Sequence, residues 1–210
     1  MAVGPGACFT VMMGMYAGHF DFRHPLIWTV PGLYSEAECA EILGGVAGAE
    51  WLAATVNRAE GRAVDAAVRD NTLAIVRDPG LADELYRRVK PHVPARMSAE
   101  LSGQSRVEME PCGVFLPLRV YRYEVGQHFG LHEDQSYFGP NDEVSLLTLL
   151  VYLNEGFEGG ETEFPDQSRT IVPARGDVLL FQHRVLHAGN RVKTGTKYVL
   201  RTDVLFRRAE

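Results

Sequence analysis

The stretch from Gln127 to Tyr137, "QHFGLHEDQSY", carries two histidines and two adjacent carboxylates around a glycine. As a helix it would put His128 and His132 on one face, the spacing of a zinc hydrolase; as a strand it pairs His132 with Asp134 instead. Gly126 and Gly130 oppose a helix, and strand-like segments lie on both sides, so the extended form is the expected one. His132 and Asp134 then project to one side while Glu133 faces away. His128 is expected at the rim.

The flanking pattern supports this reading. From Pro117 onward, "LRVYRYEV", "EVSLLTLLVYLN", "GETEF", "RTIVP", "DVLLF" and "KYVLRTDVLF" are β-branched and aromatic runs divided by Gly, Pro, Asn and Asp. The preceding part reads differently. "SEAECAEILGGVAG" predicts an amphipathic helix capped by Ser35, and "DPGLADELYRRVKPHVP" a second one capped by Asp78, with Leu81, Leu85, Tyr86 and Val89 at helical spacing. Between them "RDNTLAIV" predicts a short strand, and "SAELSGQSRVEMEPCGVFLP" a loop carrying one strand. Helices followed by many short antiparallel strands indicate an α+β, mainly β fold, a jelly roll or small barrel with helices on one outer face. The paired glycines of "EGGET" at 158–162 suit a tight turn, so Glu161 is assigned no chemistry.

The 210 residues suit one domain, expected to span 1–210, with 1–116 giving helical support and substrate-side loops and 117–207 the jelly-roll core. A formal charge of −6 argues against a broad phosphate-binding face, so nucleic acid is an unlikely partner. No apolar run is long enough to span a membrane, and the Met-rich opening has no Lys or Arg before Arg23, unlike a secretory signal. Cys8, Cys39 and Cys112 match no metal spacing and leave one over, which fits reduced thiols in a cytoplasmic setting.

His132 and Asp134 need a third partner to hold a metal. His187, in "VLHAGNRV" just after the strand "GDVLLF", is the candidate, since adjacent jelly-roll strands would bring it to them. Two neutral imidazoles and one carboxylate on one face of a metal form the facial triad of non-haem Fe(II), with positions left open for a co-substrate and dioxygen. The net positive charge that remains favours an anionic co-substrate.

"RYEVGQHFGLHED", "LTLLVYLNEGFEGGETEFP" and "GDVLLFQHRVLHAGNRVKTGTKYVLRTDVLF" together resemble the prolyl 4-hydroxylase-like family of Fe(II)/2-oxoglutarate dioxygenases, over roughly 118–206. The resemblance implies a double-stranded β-helix, the cupin-like jelly roll. It implies iron at His132, Asp134 and His187, and 2-oxoglutarate anchored by Lys197, ten positions beyond the distal histidine. Tyr123 and Thr148 would add hydroxyl hydrogen bonds to the same carboxylate, with Arg201 a weaker substitute for Lys197. Implied with them are O2 as oxidant, ascorbate as a supporting reductant, and hydroxylation of an unactivated C–H bond with release of succinate and CO2. Retention of Asp134 favours hydroxylation over halogenation.

The family's usual substrate is a prolyl residue in a peptide or protein, and a free amino acid or other small metabolite is the alternative. Arg69, Asn71, Arg119, Gln135 and Tyr137 are the candidate substrate contacts, with Phe138 beside them at the pocket mouth. His183 is as compatible with a structural role as with substrate contact. A non-enzymatic jelly-roll metal sensor would keep the triad and need no Lys197.

Overall fold

The computed structural model describes residues 20–58, 61–100, 106–140 and 142–210. Cys8, His19 and the Met-rich opening lie outside the described residues. Both helices form where their caps predict. Helix α1, Glu36–Gly45, starts at Ser35, whose hydroxyl accepts from the Glu38 N–H while the Glu38 carboxylate accepts from the Ser35 N–H. This reciprocal bonding satisfies two of the donors a helix start leaves open. Helix α2, Pro79–Val89, starts at Asp78, which accepts from the Leu81 N–H at 3.1 Å. Ala82, Leu85 and Val89 form its buried stripe, and Arg88 ties it to Glu38 of α1.

A nine-stranded antiparallel sheet forms the main layer. Its central path runs Ile27–Val30, Val178–Gln182, Val144–Tyr152, Lys197–Arg208, Leu118–Tyr123, Thr72–Val76 and Leu52–Ala53. Val107–Val114 pairs with the far half of Lys197–Arg208, and Met97–Ala99 pairs with Val107–Val114. The second layer is smaller, in the order Arg169–Ile171, Thr162–Phe164, His187–Gly189 and Phe129–His132. Two layers of this kind make the double-stranded β-helix expected above.

Side-chain alternation divides the main sheet into two faces. Leu147, Leu149, Val151, Val178, Leu180, Leu200, Val204 and Phe206 point outward to the helices and pack with Cys39, Leu85 and Val89. Their neighbours point inward. Tyr152, Phe164, Leu179, Phe181 and Val199 form one inner cluster, and Tyr121, Tyr123 and Val192 another with Phe129. Because both faces are covered, the Val144–Tyr152 strand reads as a continuous apolar run instead of an alternating one.

The seam expected at residues 116 and 117 does not divide the sheet: five of the nine main-sheet strands precede it. Those strands are two to five residues long, apart from Val107–Val114, which contains Pro111 and Gly113. The sequence predicts Thr72–Val76 and one strand within 98–117, whereas alternation is too brief to read in Ile27–Val30, Leu52–Ala53 and Met97–Ala99. No helix among the described residues is long and apolar enough to cross a membrane.

Candidate metal centre and its surroundings

His132 ends the Phe129–His132 strand, and Asp134 lies two residues beyond it. His187 opens the antiparallel neighbour, directly opposite His132 in register. The two rings are 4.1 Å apart between centroids. Asp134 reaches both: its Oδ1 is 3.7 Å from His132 Nε2 and its Oδ2 is 3.8 Å from His187 Nε2. Candidate ligand atoms of all three residues lie within 4.8 Å of one another. Glu133 faces outward, 3.3 Å from Arg184, and His128 sits beside Asp70 at 3.3 Å, so both stand apart from the cluster as expected.

The backbone selects the tautomers. His132 Nδ1 lies 2.8 Å from Gly130 O, and His187 Nδ1 lies 2.9 Å from Val185 O. A carbonyl only accepts, so each Nδ1 carries the proton and each Nε2 lone pair faces the cluster. Burial pushes the His132 imidazole down to about 3, helped by His187, and lowers His187 as well. Burial alone would raise Asp134, but the charge of Arg201 opposes it, and the carboxyl stays well below its usual range. Two neutral imidazoles and an ionised carboxylate are the donor set that fits a divalent iron with open positions.

Asp134 is held from behind. The Thr148 hydroxyl donates to its Oδ2 at 2.6 Å, and Arg201 lies 3.2 Å from the same oxygen. Arg201 also meets Asp203 at 3.0 Å, and Asp203 faces the buried His183 at 3.5 Å. The family resemblance implies that Thr148 bonds the 2-oxoglutarate carboxylate and that Arg201 is a weaker substitute for Lys197 there. Here both engage the metal-side carboxylate, because Thr148, Asp203 and Arg201 share the inner face across adjoining strands.

Lys197 is 4% exposed, and its ammonium has no ion-pair partner among the described residues. It donates to Gly160 O at 2.5 Å and lies 5.4 and 5.5 Å from the ring centroids of Tyr123 and Tyr152. Burial pushes it down to about 8, against the opposing charge of Glu161. A buried cation that meets a carbonyl and two aromatic faces is costly to keep charged until an anion neutralises it. Gly160 belongs to the "EGGET" turn with φ +67°, and an added Cβ there would come within 3.0 Å of Lys197 Cδ. The turn therefore sets the roof of the lysine pocket. Nothing local in the sequence marks Tyr152 or Gly160, since a strand tyrosine and a turn glycine carry no signal of a distant lysine.

Among the candidate substrate contacts, Arg69 and Asn71 are buried and Arg119 is half-buried on the inner face. Gln135 and Tyr137 are exposed. Tyr137 packs on Phe115 at 4.5 Å. Phe138 is exposed as well. Cys39 is a buried free thiol and Cys112 a half-buried one.

Residues 118–202 match the family model described as the 2OG-Fe(II) oxygenase superfamily. A mimivirus protein named as a prolyl 4-hydroxylase is 32% identical over 100 residues, covering 39% of this chain and 41% of that protein. A PKHD-type hydroxylase of Crocosphaera subtropica is 35% identical over 89 residues, 40% of each chain. The match thus spans about two fifths of the length of these relatives. Among solved structures, the viral collagen prolyl hydroxylase of Paramecium bursaria Chlorella virus-1 superposes with a TM-score of 0.57 at 19% identity, over 89% of this chain and 98% of that one. A Trichoplax adhaerens prolyl hydroxylase, solved with a hypoxia inducible factor peptide fragment, gives 0.59 at 15% identity, over 85% and 83%. These superpositions show the shared fold, while the family match and the named hydroxylase relatives bear out the prolyl 4-hydroxylase-like resemblance.

Proposed function

We propose that this chain, whose jelly roll carries the 2OG-Fe(II) oxygenase match, is an Fe(II)/2-oxoglutarate-dependent dioxygenase that hydroxylates an unactivated C–H bond. The target favoured by the named relatives is a prolyl or related amino-acid residue in a peptide or protein. The observation that carries the reading is the pairing of the two subsites. Two Nε2 lone pairs and Asp134 converge on one point, while an unneutralised buried lysine waits on the same inner face. His132, Asp134 and His187 would hold the iron, which with 2-oxoglutarate and dioxygen would supply the oxidation and release succinate and CO2.

The chain's own residues hold and orient. His132 and His187 are kept neutral and aimed by Gly130 O and Val185 O. Thr148 fixes one oxygen of Asp134. Lys197 receives the distal carboxylate, with Tyr123 beside it. A metal sensor would have no use for the buried lysine, so Lys197 counts against that reading.

The test is anaerobic titration with Fe(II) and then 2-oxoglutarate, followed by dioxygen-dependent succinate release. A weak visible charge-transfer band is expected when both are present. Its absence in the wild-type protein would sink the assignment.

A further inference from the structure

We infer that the substrate of this site carries a carboxylate close to the carbon that is oxidised, and that Arg69 and Arg119 bind it. The inference rests on the oxygenase reading above and deepens it. Arg69 is 7% exposed, and its guanidinium is fixed on three sides. The Tyr121 ring lies 4.4 Å from Cζ and the Phe129 ring 4.1 Å, so the guanidinium touches two aromatic faces. Nε donates to Asn71 Oδ1 at 2.7 Å, and Asn71 in turn donates to Thr72 O at 3.0 Å. The Tyr121 and Tyr123 hydroxyls also lie against the guanidinium, yet Nη2 is buried and makes no hydrogen bond. A guanidinium clamped in this way with an unpaired donor is pre-organised for a planar anion.

The place is beside the metal centre. Phe129, which contacts Arg69, stacks on the His132 ring at 3.5 Å and 17°. Arg119 lies across the strands from Arg201, on the inner face that also carries Tyr121 and Tyr123. Neither Arg69 nor Arg119 has a carboxylate within 4.0 Å among the described residues. Arg201 does, and both of its carboxylates are accounted for as Asp134 and Asp203. Lys197 and Arg201 are four residues apart on one strand, about 13 Å at the usual rise. Arg119, opposite Arg201, is therefore at the far end of the face from Lys197, and Arg69 lies between them beside Tyr121 and Tyr123.

Charge balance gives the sign of the ligand. Arg69, Arg119, Lys197 and Arg201 bring four positive charges to this face, against three negative charges from Asp134, Asp203 and the half-buried Glu161 that opposes Lys197. Iron adds two positive charges and 2-oxoglutarate two negative, so a surplus of one remains with both bound. Tyr121 registers this potential: burial would raise its phenol, yet Arg69, Arg201 and Arg119 bring it below its ordinary value. Uncompensated buried cations are costly unless an anion meets them. The α-carboxylate of a free amino acid, the carboxylate of a peptide C-terminus and an Asp or Glu side chain near the target residue all meet the requirement.

The test uses the full chain with Fe(II) and 2-oxoglutarate and reads substrate-stimulated succinate release. The panel holds the twenty free L-amino acids and their carboxamides, proline-containing pentapeptides with free or amidated C-termini, the same peptides with Asp or Glu beside proline, and phosphoserine peptides with amidated ends. Stimulation is expected only from members with a carboxylate, with at least a tenfold loss on amidation, and the winning class identifies its source. Arg119→Gln should raise KM for the acid at least tenfold and erase the preference of acid over amide. An uncharged or phosphorylated amide that stimulates as well as the acid would overturn the inference, as would an undiminished acid preference in Arg119→Gln. A panel with no active member counts against the carboxylate while the charge-transfer band preserves the oxygenase reading; loss of the band removes that reading itself.

Discussion

Lys197 is the residue whose chemistry makes the sharpest demand. Its pKa is lowered to about 8 by burial, so it is mostly charged at neutral pH and mostly neutral by pH 9. A bound dianion favours the charged form and raises this value in the complex. Affinity for 2-oxoglutarate is therefore full below about pH 8 and falls through the alkaline range, until the pKa of the complex is passed. Anaerobic dissociation constants from pH 6.5 to 9.5 check this, and Lys197→Ala should bind at least about tenfold more weakly, since a charge-assisted bond contributes about 1.5–3 kcal/mol. In that variant the alkaline fall should vanish. A fall that persists would assign it to another group. Thr148 makes a different demand, because its hydroxyl bonds a metal ligand directly. Thr148→Val should weaken Fe(II) binding by about 10–100-fold, the usual cost of losing a partner that orients a ligand. If Thr148→Val instead left iron affinity unchanged and raised the Kd for 2-oxoglutarate, its place would be at the co-substrate.

At the scale of elements, what was legible depended on whether a signal was local. The Ser35 and Asp78 caps, the alternation of His132 and Asp134, and the turn at Gly159 and Gly160 are written within a few residues, and each stands where the sequence predicts. Cross-strand partners are not local. That Arg201 sits opposite Arg119 and faces Asp134 follows from the register of three strands, which no single segment encodes. The Val144–Tyr152 strand shows the energetic side of the same point. Leu149 is fully buried in the outward-facing cluster beneath the helices, away from the metal centre. Leu149→Ala should cost about 2–5 kcal/mol of stability, the range for a core leucine that leaves a cavity. Chemical denaturation measures the loss, and KM for 2-oxoglutarate at a permissive temperature should stay near wild type, because the inner face keeps its side chains. A large KM change would mean that the two faces are mechanically coupled.

For the molecule as a whole, the centre is assembled from separate elements, and only Asp134 among its charged groups is matched by a partner of opposite charge within the site. His132 and Asp134 come from one end of the small sheet, His187 from its neighbour, and Lys197 from the main sheet. Buried cations and a metal-free cluster oppose folding, so ligands that neutralise them should bind the native state and stabilise it by mass action. At a concentration one hundred times its Kd, each ligand contributes about 2.7 kcal/mol. For a chain of this length that corresponds to a rise in Tm of about 5–10 °C. Under anaerobic conditions Fe(II) alone should give one increment and added 2-oxoglutarate a second. Asp134→Ala should lose the first, and Lys197→Ala should keep the first and lose most of the second. A Tm for Asp134→Ala that climbs with Fe(II) as in wild type would place the metal elsewhere, whatever the activity of that variant, since stability reads occupancy without requiring turnover.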